Sequence, residues 1–371
     1  MGTTITLGRV WGVPIGLHWS MLFVFVLLAV SLGAGYLPET YPELSVAGSW
    51  LVAILTAALF FGSILLHELG HVRVALRSGV AVKEVRLWIF GGIATMDSQP
   101  KSAGDELRIA IAGPLVSLGL AVIFFSIYLV ARSVAVLAAP AEWLLRINLA
   151  LLIFNLLPGF PLDGGRILRA LLWRRTGSLE RATRMAAVSG QMLALGLMAL
   201  GALVALQGDL ASGIWMGVIG WFIQNAALTE ATGVTLESQL KGVRVENAMT
   251  HEVSRVPSRL SLRLLVDQHV LATGQRIFVV ADDELPRGLI SLRDVVTVPE
   301  ERRDWVTVSE VMTPWSRVTA FSPDTPLLTA LQRLEEANAN QAPVVAEDRV
   351  VGMLGREQII RYLGMKRELS R

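Results

Sequence analysis

Six apolar segments, roughly 17–37, 47–76, 107–131, 143–157, 185–206 and 211–229, fill most of the first 228 residues of a 371-residue chain. A membrane-spanning helix needs about 20 mostly apolar residues, because its length must match a hydrocarbon layer about 30 Å thick. Inside that layer no water pairs with the backbone, so only helices and closed barrels can cross it. These segments therefore predict an α-helical polytopic membrane domain of six transmembrane helices. The fourth segment is short and ends at Pro158, so it is expected to break down before completing a regular crossing. The composition agrees. The chain is 53% hydrophobic and 17% charged, against about 25% charged for a typical soluble domain. The first run is too long for a signal-peptide core and reads as a helix retained in the mature protein.

Charge placement gives the expected orientation. Arg73, Arg77, Lys83, Arg86, Lys101 and Arg108 lie between the second and third segments or at the segment ends that flank this connection. Arg166, Arg169, Arg174, Arg175, Arg181 and Arg184 lie between the fourth and fifth. The opposite loops carry Glu39 and Glu43, then Arg132, Glu142 and Arg146, then Asp209. Positively charged loops face the cytoplasm, so both termini are expected there, in a multi-pass protein of the plasma membrane. Two alternating stretches, 3–10 and 80–96, read as short membrane-associated β elements. Such backbone must be shielded by protein or water, and Gly91-Gly92 suggests a bend or a close backbone approach.

The net charge of +2 and the lack of basic stretches interleaved with aromatics give no reason to expect nucleic acid. The chain has no cysteine, so any metal must be held by His, Asp or Glu. The second apolar segment contains His67-Glu68-Leu69-Gly70-His71. Residues four apart share a helix face, so both imidazoles can reach one ion with Glu68 beside it. Ionisable groups at the end of an apolar span are costly and mark function; the alternative is two satisfied histidines and a snorkelling glutamate near the interface. Catalytic zinc takes three protein ligands and leaves one position open. The candidate third ligand is Asp163 in NLLPGFPLDGGR (Asn155 to Arg166), where two prolines and a Gly-Gly pair free the backbone. Asp163 at such a place could instead cap the following helix.

HELGH, NLLPGFPLDGGR and AGPLVSLGLA (Ala112 to Ala121) together resemble the site-2 protease family of intramembrane zinc metalloproteases. The likeness covers roughly 50–170, in matching order and spacing. It implies His67, His71 and Asp163 as zinc ligands and Glu68 as general base. It also implies Asn155 as a donor to the developing oxyanion, although a helix–helix hydrogen bond would use that amide as well. One departure is Ser117, where many members carry Asn. By the same resemblance, substrates are single-span membrane proteins such as a membrane-anchored anti-sigma or transcription factor. A substrate strand is held by strand addition, with 88–96 the candidate edge, or else a plain connecting hairpin. Gln224 and Asn225 in the sixth segment read as helix-packing contacts or part of a substrate gate.

The tail repeats itself with a period near 63 residues. VENAMT (Val245 to Thr250) recurs as VSEVMTP (Val308 to Pro314), and Ile277 to Val295 is matched by Ala342 to Ile359. This resembles a tandem cystathionine-beta-synthase-type (CBS) pair, a soluble α/β module that implies adenine nucleotide (ATP, ADP or AMP) as a candidate cofactor and dimerisation as another role. Ser291 and Asp294, in the pattern begun by Gly288, are the candidate ribose contacts. The second copy carries Gly355 and Gln358 instead, which suggests a lost or altered site. The expected domains are thus 1–229 for the membrane metalloprotease, 230–242 for a linker, and 243–371 for the CBS pair. A CBS-regulated transporter or channel is the competing reading, but it would spread ionisable residues along several spans, whereas here they gather at HELGH and Asp163.

Overall fold

The computed structural model describes residues 4–89, 91–96, 99–283 and 285–369. Thr3, Phe90 and Glu284, which fall inside expected strands, lie outside the described residues. The chain divides into two compact units, Met1–Val234 and Thr235–Arg371.

The first unit is a helical bundle with one small sheet. Its helices are α1 (Ser20–Ser31), which continues through a π-helical stretch into α2 (Leu37–Thr40), α3 (Val46–Arg77), α4 (Ala103–Ala131), α5 (Ala135–Asn155), α6 (Asp163–Thr176) and α7 (Leu179–Leu206). A further helix, α8 (Leu210–Leu240), crosses the unit boundary. Among the described residues, five helical stretches are long and apolar enough to cross a membrane: Ser20–Thr40, α3, α4, α5 and α7. Their surfaces fit that role. Val130 is 87% exposed, Leu206 84% and Leu22 67%, and an exposed apolar belt of this extent requires a lipid solvent. Small residues instead line the helix contacts, with Ala53, Ala57, Ala110, Ala139, Ala182 and Ala186 fully enclosed, as close packing without a hydrophobic driving force demands.

Two helices run longer than the sequence predicts. The fourth crossing is not the short 143–157 stretch but α5, which starts at Ala135 and includes Pro140. Its charges are accommodated at one end, where Glu142 accepts from Tyr41 and pairs with Arg146. The stretch expected as a linker, 230–242, is helical as far as Leu240. Arg166, Arg169, Arg174 and Arg175, counted as loop charges, belong to the amphipathic helix α6.

The sheet has the order β1-β2-β3-β4, built from β1 (Thr4–Val10), β2 (Val13–His18), β3 (Val82–Trp88) and β4 (Gly91–Met96). Strands β1 and β2 form a hairpin, β2 runs parallel to β3, and β3 and β4 form a second hairpin closed by Trp88 and Gly91. Val13 and Val85 of the sheet pack on Val72 of α3, the residue after His71. The sheet is therefore seated on the helical turn that carries HELGH, and β4 forms its outer edge.

The second unit consists of two α/β halves. The first half has a sheet of order β5-β6-β7-β8, from β5 (Arg255–Val256), β6 (Ile277–Asp282), β7 (Leu285–Ser291) and β8 (Thr313–Pro314). The second half pairs β9 (Gln341–Ala346) with β10 (Arg349–Gly355) and adds the helices Leu327–Glu336 and Arg356–Leu369. The halves exchange arms. Val308, from the second copy of the repeated motif, lies in the core of the first half with Val256, Phe278 and Ile290. Val245, from the first copy, lies in the core of the second half with Phe321, Val344 and Leu354. Neither half buries its apolar face alone, which is the physical reason for the duplication.

Candidate metal centre

Three elements meet at the site. HELGH lies within the last three turns of α3, so His67 and His71 project from one face of that helix. Asp163 is the first residue of α6, after a Leu162 N-cap that offers no side-chain oxygen. The third element is α4, which packs along α3. His67, His71 and Asp163 are 5%, 4% and 8% exposed.

The donor atoms form a nearly equilateral triangle. His67 Nε2 lies 3.1 Å from Asp163 Oδ2, His71 Nε2 lies 3.2 Å from the same oxygen, and the two Nε2 atoms are 3.2 Å apart. Zinc bonds of about 2.0–2.1 Å in a tetrahedron imply ligand separations of roughly 3.3 Å, so the spacing fits. The outer ring nitrogens are engaged. His71 Nδ1 lies 2.7 Å from the carbonyl oxygen of Ile109, which only accepts, so Nδ1 carries the proton and Nε2 presents its lone pair inward. His67 Nδ1 lies 2.9 Å from Ser117 Oγ. Such outer contacts fix the tautomer and orientation of a ligating histidine. Ser117 Oγ is the corresponding outer contact of His67.

The space inside the triangle is kept by Gly113 of α4. A Cβ there would sit 2.5 Å from His67 Nε2 and closer still to His71 Nε2. The donors, their spacing and this cradle all fit a zinc ion; the three residues are the group among the described residues that could hold a metal. Glu68 turns to the sheet side. A Cβ on Gly92 of β4 would lie 2.8 Å from Glu68 Oε1, so the carboxylate and the edge strand are in direct apposition. The Gly91-Gly92 pair of the sequence is thus explained by a close approach.

The other expected residues are not among the three donors. Asn155 ends α5 and is half-buried, and among the described residues its side chain has no hydrogen-bond partner. Asn225 donates to Trp221 O on its own helix at 2.8 Å, while Gln224 Oε1 is buried without a partner among the described residues. In the second unit Ser291 caps the short helix Leu292–Val296: its Oγ donates to Asp294 Oδ2 at 2.6 Å, and its backbone N–H donates to the same oxygen at 2.8 Å. Both residues border a cavity of about 920 Å³, together with Arg276, Arg293, Arg317 and Arg356. Gln358 borders a second cavity of about 580 Å³ with Glu252 and Arg361.

The family model described as peptidase family M50 matches residues 55–139 and 130–200, and the CBS domain model matches residues 308–364. The protein named zinc metalloprotease Rip3 of Mycobacterium tuberculosis is 37% identical over 372 residues, covering 99% of this chain and 94% of that one. Zinc metalloprotease MJ0392 of Methanocaldococcus jannaschii is 30% identical over 377 residues, covering 100% of both chains. Among solved structures, the site-2 protease from Methanocaldococcus jannaschii aligns with a TM-score of 0.43 at 31% identity, covering 62% of this chain and 95% of that chain.

Proposed function

The chain belongs to peptidase family M50, the site-2 protease family of zinc metalloproteases, and from that premise we propose that His67, His71 and Asp163 hold its zinc and Glu68 serves as general base. The observation that carries this reading is the triangle of Nε2, Nε2 and Oδ2 atoms 3.1–3.2 Å apart around the Gly113 cradle. A zinc ion so held supplies a Lewis acid that polarises the scissile carbonyl and acidifies a water. Glu68 takes the proton of the attacking water and passes it to the departing amine as the C–N bond breaks. Asn155, whose amide has no hydrogen-bond partner among the described residues, donates to the negative charge that develops on the carbonyl oxygen.

The substrate is a single-span membrane protein, such as an anchored anti-sigma or transcription factor, cut within or near its transmembrane segment. Its unwound strand adds to the edge of β4, which runs past Glu68, so that main-chain bonds hold it where the base can act. With α8 as a sixth crossing, both termini lie on the cytoplasmic side of the plasma membrane. This is supported by the basic residues of the α3–α4 and α5–α7 connections. The second unit is a tandem CBS pair, spanning about 243–371, which also offers a surface for homodimers. Its larger cavity takes an adenine nucleotide, with Ser291 and Asp294 toward the ribose and the four bordering arginines toward the phosphates.

Two measurements test these readings. Detergent-purified protein is expected to carry about one zinc per chain, lost in both His67→Ala and Asp163→Ala, because a catalytic site keeps three protein ligands. A wild type free of zinc after metal-replete purification would refute the metal centre. Calorimetric titration of the full-length protein with ATP, ADP and AMP is expected to show binding that weakens when Arg293 and Arg317 are both changed to Gln. No heat from any of the three removes the nucleotide from the reading.

A further inference from the structure

One face of α4 meets both imidazoles of the candidate metal centre. Glu106, Ile109, Gly113 and Ser117 are spaced by three, four and four residues, so they form a single stripe along the helix. All four are buried. Ser117 holds His67 and the Ile109 carbonyl holds His71, while Gly113 faces the gap between the imidazoles. Glu106, at the end of the stripe, does not touch a ligand. It is fully buried, and its Oε1 accepts from Arg169 Nε of α6 at 2.6 Å and from Nη2 as well.

Arg169 is itself 4% exposed, and it has two further attachments. Its Nη1 donates to Glu230 Oε1 of α8 at 2.9 Å, and its guanidinium carbon lies 5.0 Å from the ring centroid of Phe160. Phe160 sits three residues before Asp163, in the turn between α5 and α6. The guanidinium therefore joins α6 to α4, to α8 and to the turn that delivers the third ligand. Asp163 has no such anchor of its own. Among the described residues its carboxylate meets only the two imidazoles, and the Leu162 cap provides no side-chain bond.

We propose that Arg169, locked to Glu106, is the positioning residue for Asp163: it fixes α6 against the α4 stripe, so that one helix face sets all three ligands in register. The proposal rests on the metal-centre reading above. A buried ion pair adds little to stability against apolar packing of equal volume, but it does specify one arrangement, and the arrangement specified here is that of the two helices bearing the cradle and the carboxylate. Glu230 ties the same guanidinium to α8.

The test compares full-length wild type, Arg169→Gln and Arg169→Lys, each purified in detergent. The readouts are zinc retention against a competing chelator, the visible spectrum of the cobalt(II)-loaded protein, and thermal unfolding of the metal-free form. Arg169→Gln is expected to lose zinc at a chelator concentration about 10- to 100-fold lower, the range found for contacts just outside a metal's ligands. Its cobalt bands are expected to change in intensity as the carboxylate leaves its place. Arg169→Lys, which keeps a charge beside Glu106, is expected to fall between the two. Wild-type zinc retention and cobalt spectrum in a folded Arg169→Gln would overturn the proposal, whatever its unfolding temperature. If Arg169→Gln does not fold, wild-type values for Arg169→Lys would assign the residue to folding alone and overturn it equally. A wild type without zinc removes the metal centre itself, and this proposal with it.

Discussion

Glu68→Gln is expected to leave zinc bound at the wild-type level and to lower peptide-bond hydrolysis by about 10²–10⁴-fold, the usual contribution of a positioned acid–base group. The change keeps the shape of a side chain that lies against Gly92 of β4, so the sheet edge should stay where it is. It also leaves the triangle of Nε2 and Oδ2 atoms untouched, because Glu68 is not one of the three donors. What it removes is the one group in HELGH that can accept a proton from water without giving up a ligand position. The expected kinetic form is a fall in kcat with KM little changed, since in the proposed binding mode the β4 backbone and not the carboxylate holds the substrate. Zinc content and cleavage of a membrane-anchored substrate are measured on the same preparation. Full cleavage by the zinc-loaded variant would remove Glu68 from the mechanism; loss of zinc would instead make it a ligand.

The residues of this candidate centre stand out in the sequence because an apolar run makes them conspicuous. His67, Glu68 and His71 interrupt an apolar run, and Asp163 follows a break made by Pro158 and Pro161. Periodicity then put both imidazoles on one face, where α3 has them. The repeated VENAMT and VSEVMTP motifs were legible too, although their use was not. Only the folded chain brings Val308 into the first half's core and Val245 into the second's. Hydropathy misjudged two helices for a physical reason. It cut α5 at 143 because Pro140 and Glu142 interrupt the apolar run, yet Glu142 pairs with Arg146 and accepts from Tyr41. It ended α8 at 229 because polar residues begin there, yet a helix needs no apolar run to continue, and Leu240 goes on to join an apolar core in the second unit.

The organisers of the site were the hardest part to read. Ser117 read only as a departure from the Asn of many family members, yet it stands 2.9 Å from His67 Nδ1. Arg169 was one of six arginines between two crossings and counted toward orientation, whereas the fold buries it against Glu106. Nothing in a linear pattern separates an arginine that faces water from one that locks two helices, because the difference lies in a partner 63 residues away. Gly113 belonged to an Ala-Gly-Pro stretch with no chemistry of its own, since what matters there is an atom that glycine lacks.

That missing atom supplies the second large effect. Gly113→Ala is expected to drop bound zinc from about one per chain to near zero while the protein remains folded. Two opposed terms meet at this position. Within a helix, alanine is favoured over glycine by about 1 kcal/mol, and Gly113 lies well inside α4, so propensity alone predicts a more stable protein. The added methyl, however, would stand 2.5 Å from His67 Nε2, well inside van der Waals contact, and the backbone that carries it cannot yield. Ile109 and Ser117, on the same face, hold the two imidazoles from the outer side. The rings must therefore turn away or the ion must stay out, and either outcome costs the site its inward lone pairs. Zinc per chain and thermal unfolding of the metal-free protein, compared with wild type, read the two terms separately. Metal loss with an unchanged or higher unfolding temperature is the expected pair of results. One zinc per chain and full cleavage in Gly113→Ala would mean that the space between the imidazoles is not where the metal sits.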